Sequence, residues 1–338
     1  MERYLALPMG EPAGAAPEMI IKALLAENHG EYGGVVVVGD LTLFKKVSKD
    51  LHLPLSFTAY VESEAELIAA QSRGELYIFY NLPCISIDNF NYGVLTQDGG
   101  KATYLCIKKA VELIQNAYCV ALVTPPIDAR SLAMAGYKTT RYESMIALFA
   151  SSGKGLSMLD ADGVKIFSHT SYMPLKKALD EITFEKILDT IIRVDSLTLD
   201  RFVFDPELPL AIASLNPRHD DDEVYHKEEA EELIPAVEAA KKIGINIVGP
   251  LSADHLMHHA RKGEYRAIIS LYHDQASIAA LSAEYDKTTL VTWGWPFLRV
   301  STYRGAMLEL SGKGTINPIN LVQALHIASA YITIGVNS

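Results

Sequence analysis

The feature that most restricts the fold of this chain is a series of short, continuously apolar segments separated by longer stretches with helical periodicity. Tyr4–Pro8, Gly34–Gly39, Leu76–Tyr80, Cys119–Thr124, Val164–Ser168, Leu210–Leu215, Ile245–Val248, Ala267–Tyr272 and Leu290–Trp293 are strand candidates. Several lack the polar alternation of a half-exposed strand, which is the pattern of parallel strands covered on both faces. Helical spacing lies between them in Lys101–Tyr118, Glu228–Ile243 and Pro318–Ile332, with Leu105, Ala110, Leu113 and Ile114 marking the apolar positions of the first. This alternation predicts an α/β fold with a mostly parallel sheet. A length of 338 residues suits two domains, at about 150 residues each. No repeat or linker rich in Pro, Gly and Ser separates them, so the chain is expected to cross between domains through ordinary segments.

Composition removes several functional classes. With 30 Lys+Arg against 41 Asp+Glu the net charge is -11, which argues against nucleic acid as a partner because phosphate contacts need a basic patch. The 49% hydrophobic content excludes a disordered chain. Cys84, Cys106 and Cys119 fit neither a disulfide framework nor a zinc ribbon, and the last two lie in apolar runs expected to be buried. The start of the chain lacks a signal peptide's apolar stretch, and nothing approaches 18 uninterrupted apolar residues. A soluble cytoplasmic protein without a membrane partner is expected. The charge run His219–Glu232 is expected to be a solvated loop whose acids complement the start of a helix.

Neither G-x-G-x-x-G after a strand, nor G-x-x-x-x-G-K-[ST], nor the nucleophile elbow G-x-S-x-G occurs. Instead, four polar stretches follow apolar strands: Met9–Gly14 with Ala15–Glu18 behind it, Leu215–His219, Tyr272–Gln275 and Gly294–Arg299. Polar residues at several strand ends are the geometry of an α/β ligand site. Asp254, His255, His258 and His259 place two histidines one turn apart, yet no third ligand accompanies them, so a solvated helix face is expected.

Taken in order, these stretches resemble the 4-hydroxythreonine-4-phosphate dehydrogenase family of pyridoxal phosphate biosynthesis. The family's M-G-D-P-A-G-I-G-P-E is here Met9–Glu18 with Glu11 for Asp, and its T-G-P-I-N-K is Thr124–Ala129. L-N-P-H-A-G, G-P-L-P-A-D, Y-H-D-Q-G and L-P-F-I-R correspond to Leu215–Asp220, Gly249–Asp254, Tyr272–Ala276 and Trp295–Arg299. The register holds from residue 3 to about residue 335. The resemblance implies two α/β/α domains of the isocitrate/isopropylmalate dehydrogenase type with a central cleft. Residues 1–125 plus 265–338 would form one, and 126–264 the other, which would contribute to the interface of a homodimer. It also implies an NAD- or NADP-dependent oxidation of a small hydroxy acid, followed by decarboxylation, with a divalent metal polarising the reacting oxygen. In that superfamily the loop after the last strands holds the adenosine, here Tyr303 to Pro318. Arg304, Gly305, Gly312, Gly314 and Asn317 are then the cofactor-binding candidates, with Arg304 either meeting an NADP phosphate or lying on the surface.

Carried over residue by residue, the site departs from the family. His273, Asp254 and Asp274 persist as catalytic candidates. The three metal histidines of the family fall at His273, Tyr172 and Arg218, and arginine has no lone pair to give a cation. His169 and His219 are neighbouring substitutes, Tyr172 an alternative acid, and Mg²⁺, Mn²⁺ or Zn²⁺ the metal choices. On the substrate side Arg299 persists, while Arg141, Tyr142 and Glu143 stand in the phosphate-contacting stretch; the family's lysine and asparagine fall at Leu281 and Leu290. One unit charge on Glu143 at 4 Å from a phosphate would cost about 4 kcal/mol at an effective dielectric near 20, offset in part by Arg141 and Lys138. A hydroxy-acid dehydrogenase with a shifted substrate is expected. The alternative is a non-catalytic or regulatory paralogue that has kept the fold and lost the metal site.

Overall fold

The computed structural model describes residues 3–26, 32–153, 155–199, 203–217 and 227–334. The chain opens with β1 (Tyr4–Pro8), β2 (Gly34–Gly39), β3 (Ala59–Val61), β4 (Tyr77–Asn81) and β5 (Ala121–Thr124). It continues into β6 (Leu156–Ala161), β7 (Val164–Ser168), β8 (Leu210–Ala213), β9 (Ile247–Leu251) and β10 (Ala267–Ser270), and closes with β11 (Thr289–Trp293) and β12 (Leu298–Thr302). Two compact units result. The first holds residues up to 155 together with 289–333, the second 156–288.

In the first unit the strand order is β3-β4-β2-β1-β5-β12-β11. Every pairing is parallel except β11 with β12. Leu5–Leu7, Val35–Val38, Ile78 and Phe79, and Ala121–Val123 are wholly buried, which accounts for their lack of polar alternation. The second unit runs β6-β7-β10-β8-β9, with β6 and β7 antiparallel and the rest parallel. This is the α/β fold with a mostly parallel sheet that the apolar runs predict.

The strands missing from the sequence reading are β3, β6 and β12. β3 is three residues long and only partly buried. β6 (LSMLDA) and β12 (LRVST) carry polar residues inside the sheet, Asp160 and Arg299 among them. The helix expected at Lys101–Tyr118 spans Gln97–Gln115, capped by Thr96, whose Oγ1 accepts from Gly99 N at 3.0 Å. Its early start is hidden by two glycines. Gly100 is needed there because a Cβ would stand 1.9 Å from the Ser131 carbonyl of the crossing helix Ala129–Met134.

The division of the chain differs from that expected. Residues 126–155 belong to the first unit, where the helices Ala129–Met134 and Tyr142–Phe149 pack on Gln97–Gln115. Residues 265–288 belong to the second, because β10 pairs between β7 and β8. The charge run also departs from its expected solvation. Residues 218–226 lie outside the description, but Glu229 is 1% exposed and Glu232 accepts from Phe184 N. All three thiols are free; Cys106 and Cys119 are buried as expected, and burial pushes the Cys119 thiol up.

One buried carboxylate ties several segments of the first unit together. Asp40 Oδ1 accepts from Thr42 N and Leu43 N, capping the helix Leu41–Leu51, while Oδ2 accepts from Cys84 N and Ile85 N at 2.7 and 2.9 Å. Removing it leaves four backbone donors short of their partner, two of them at a helix start. Asp40→Ala is expected to lower unfolding stability by about 3 kcal/mol in urea titration. Asp40→Asn keeps one acceptor oxygen and is expected to lose less than half as much.

Candidate functional site

The first group of site candidates lies at the carboxyl end of β5. Thr124 ends that strand, and Arg299 on the neighbouring β12 donates from Nε to Thr124 Oγ1 at 3.0 Å. Arg299 also donates from Nη1 to Glu143 Oε1 at 2.8 Å, and its guanidinium carbon lies 4.7 Å from the centre of the Tyr142 ring. Tyr142 in turn donates to the Pro125 carbonyl at 2.9 Å. The Arg299 side chain is 2% exposed, that of Glu143 39%. Burial pushes the Glu143 carboxyl up, but the charge and hydrogen bond of Arg299 outweigh it, so the group is held below its usual range as a carboxylate. Of the expected substrate residues, Arg299, Tyr142 and Glu143 are therefore brought together. Arg141, two positions before Glu143, is exposed and acts on it through its charge. Arg218 lies outside the described residues, as does His219.

The loop after β1 adds a group the sequence analysis left without a role. Glu11 is wholly buried, its Oε2 accepts from Ser131 Oγ at 2.5 Å, and its Oε1 accepts from Ala13 N at 3.2 Å. Burial pushes its pKa up to about 7, against those two hydrogen bonds. The signal in the sequence was a glutamate inside a Gly/Pro turn directly after an apolar strand. Beside it, Pro12, Ala13, Asn89, Phe90, Thr96 and Gly99 line part of a cavity of about 260 Å³.

The expected cofactor loop packs on this same region of the first unit. Ala15 N donates to Ala306 O, Ser311 Oγ to Gly14 O, and Ile316 N to Glu18 Oε1. Gly93 N donates to Ala13 O, and a Cβ on Gly93 would stand 2.9 Å from Leu308 O, so the wall of the small cavity touches the loop. Gly312 (φ 73°) lies where a side chain would strike Tyr92. Asn317 Oδ1 accepts from Ile319 N at the start of the helix Ile319–Ile334. Gly305 has open space around it, and Arg304 and Gly314 are on the partly exposed outer stretch.

In the second unit the catalytic candidates stand at the carboxyl ends of β8, β9 and β10. A cavity of about 1200 Å³ is lined there by Asp254, Asp274 and Asn216, together with His258, Arg261 and Lys262. Asp254 is exposed, and the His255 N–H and Ser252 hydroxyl hold its carboxyl below the usual range. Gln275 fixes the rim, accepting from Leu271 N and donating to Ser214 O. Glu229 does the same for the β8 loop, accepting from Leu215 N and Asn216 N at 2.7 and 2.8 Å. Both were missed, Gln275 because its motif was read for its His and Asp, Glu229 because it sits in a charge run. His273 begins the helix His273–Ala283, and its ring lies 4.7 Å from that of Tyr172, a residue held at φ 54°.

A metal does not fit what is described. Among the described residues no three His, Cys, Asp or Glu side chains come together as a metal would require. His169 fails as a substitute ligand, because Thr190 Oγ1 at 2.7 Å and Glu181 O at 2.9 Å occupy both ring nitrogens. His255 and His259 do stack one turn apart, but His259 is paired with Glu264.

These features belong to one family of proteins. The family model described as pyridoxal phosphate biosynthetic protein PdxA matches residues 31–328, and the chain belongs to that family. A protein of Fusobacterium nucleatum provisionally named D-threonate 4-phosphate dehydrogenase is 31% identical over 98% of both chains. One of Halalkalibacterium halodurans with the same provisional name is 31% identical over 97% of this chain and 96% of its own. The fold is shared with the crystal structure of a 4-hydroxythreonine-4-phosphate dehydrogenase from Klebsiella pneumoniae, at TM-score 0.83, 24% identity and coverage of 97% and 98%. No helix among the described residues is long and apolar enough to cross a membrane.

The elevated Glu11 pKa has a consequence for stability. The folded state holds the proton to about pH 7, whereas the unfolded chain releases it near 4.5. Stability from this group is therefore complete below about pH 4.5 and is lost as pH rises towards 7, by about 3 kcal/mol in all. Urea unfolding across this range is expected to show the decline, and Glu11→Gln to flatten it.

Proposed function

We propose that this protein is a nicotinamide-nucleotide-dependent dehydrogenase of a small hydroxy acid whose preferred substrate is shifted from that of its family. The observation that carries the reading is the paired carboxylates Asp254 and Asp274 on one cavity at the carboxyl ends of three strands. Such a position is where α/β enzymes bind ligands. The Tyr303–Pro318 loop would hold NAD or NADP, with Gly305, Gly312, Gly314 and Asn317 allowing close approach and Arg304 next to the phosphates. The bound nucleotide would supply the hydride acceptor. Asp254, already ionised, would take the alcohol proton, with Asp274, His273 and Tyr172 orienting the substrate around it. Because the described residues do not fit a metal, no step is assigned to one.

The second reading is a non-catalytic paralogue, favoured by the lack of a three-ligand group among the described residues. A homodimer is also proposed, supported by the exposed apolar residues Tyr172, Met173, Leu175 and Leu179 on one short segment. Sedimentation is expected to give twice 37.1 kDa.

Thermal-shift titration with NAD and NADP, each with and without Mg²⁺, Mn²⁺ or Zn²⁺, separates the two readings. A nucleotide at about 100 times its Kd is expected to add about 2.7 kcal/mol of stability. Asp254→Asn is expected to lower kcat on a turned-over hydroxy acid about 10²–10⁴-fold with nucleotide binding retained. No shift with either nucleotide and no turnover would leave the paralogue reading.

A further inference from the structure

We propose that Arg261 and Lys262, assisted by His258, form a subsite for the anionic group of the substrate, a carboxylate or a phosphate, held several bonds away from the hydroxyl that meets Asp254. The inference rests on the dehydrogenase reading for the role of Asp254. The anion subsite has its own support in the cavity of the second unit.

Strands β8, β9 and β10 pair in parallel, so the helices Ala253–Ala260 and His273–Ala283 that leave β9 and β10 start at the same rim of the sheet. Asp254 and Asp274 stand in their first turns, and both line the cavity. On the first helix Leu256 and Ala260 are buried. Asp254, His258, Arg261 and Lys262 line the cavity at i, i+4, i+7 and i+8, the repeat of one helix face. Seven residues of helix place Arg261 about 10 Å along the axis from Asp254. There it crosses to the second helix, donating from Nη2 to Ala279 O at 3.4 Å. Ala279 itself stands five residues, about 7.5 Å of helix, beyond Asp274. Both measures separate an acidic end of the cavity from a basic one. Between the two ends lie Met257 and Ile278, the latter 67% exposed.

Both cations are available to a ligand. Neither forms an ion pair with a described carboxylate, and Glu264, the nearest acid in sequence, is bonded to His259. In a chain of net charge -11, two adjacent unpaired cations on a cavity wall concentrate positive potential where an anion enters. The guanidinium offers a planar pair of donors and the ammonium three more, which suits the oxygens of a carboxylate or phosphate. A ligand whose anionic group adjoins its hydroxyl is too short to meet Asp254 and this pair together. The cavity therefore selects a hydroxy acid with a chain of several bonds between the two groups, passing over Met257 and Ile278.

Calorimetric titration of the full chain with 4-hydroxybutyrate, 4-hydroxybutyl phosphate and 2-hydroxybutyrate tests this without requiring turnover. The wild-type protein is expected to bind at least one of the two extended anions about tenfold tighter than 2-hydroxybutyrate. The preferred one identifies the anion as carboxylate or phosphate. Arg261→Gln and Lys262→Gln are each expected to weaken that binding about tenfold, and Lys262→Arg to retain it. Both side chains are exposed, so the fold does not depend on them. Equal or tighter binding of 2-hydroxybutyrate, an affinity unmoved in both Gln variants, or binding of no probe by the wild type would overturn the proposal. Variant-sensitive binding without reduction of NAD or NADP would retain the anion subsite and remove the dehydrogenase reading. Turnover of a hydroxy acid with KM unmoved in both Gln variants would do the reverse.

Discussion

Backbone amides at the loops that follow the strands are satisfied by buried carboxylates, and much of the architecture depends on this. A parallel strand ends at the rim of the sheet, and the connection that leaves it has donors with no ladder partner. Asp40 answers for two segments of the first unit, Glu11 for the turn after β1, and Glu18 for the Tyr303–Pro318 loop. Glu229 does so in the second unit for the loop after β8. Each is 2% exposed or less. A carboxylate suits the task because it is acceptor-only with two oxygens, so one side chain can gather several donors. Part of the acidic excess of this chain is therefore internal. The net charge describes the surface less well than the composition suggests.

Such fixed loops are rigid ground for binding. The Glu18 carboxylate holds the Ile316 amide while Lys22 bridges Glu18 to the carbonyls of Gly314 and Ile316. A loop tied at both its start, through Ala306, and its end leaves little freedom for a ligand to remove, so less entropy is lost on binding. The same logic explains why Glu11 tolerates a costly burial. Its two hydrogen bonds lower its pKa, yet desolvation wins and holds it at about 7, so near neutrality the group is divided between acid and carboxylate.

The sequence was most legible where burial is complete on both faces. Tyr4–Pro8, Gly34–Gly39 and Val164–Ser168 have the limits their apolar runs suggest. It was least legible where polar groups enter the sheet. β12 was overlooked because Arg299, Ser301 and Thr302 break its apolar run, and those residues are buried through partners on β5 distant in sequence. The Arg299–Glu143 pair spans 156 positions, a separation no local pattern reveals. Glu143 was expected to repel a phosphate by its own charge. The structure adds that it is paired with the buried Arg299. His169 shows the opposite error, since proximity in sequence to a motif suggested a ligand whose two nitrogens are already committed.

Both units spend carboxylates on backbone donors or a guanidinium, Glu229 and Asp195 doing so in the second. In the first, Glu11, Glu18 and Asp40 are spent on backbone donors and Glu143 on a guanidinium, so the carboxylates there are largely matched before any ligand arrives. In the second, Asp254 and Asp274 line a cavity, and the His255 N–H and the Ser252 hydroxyl chiefly hold the Asp254 carboxyl below its usual range. Hydrogen bonds and a guanidinium both lower a carboxyl's pKa, but Asp254 is exposed and open to an outside hydroxyl, whereas Glu143 already shares an oxygen with Arg299.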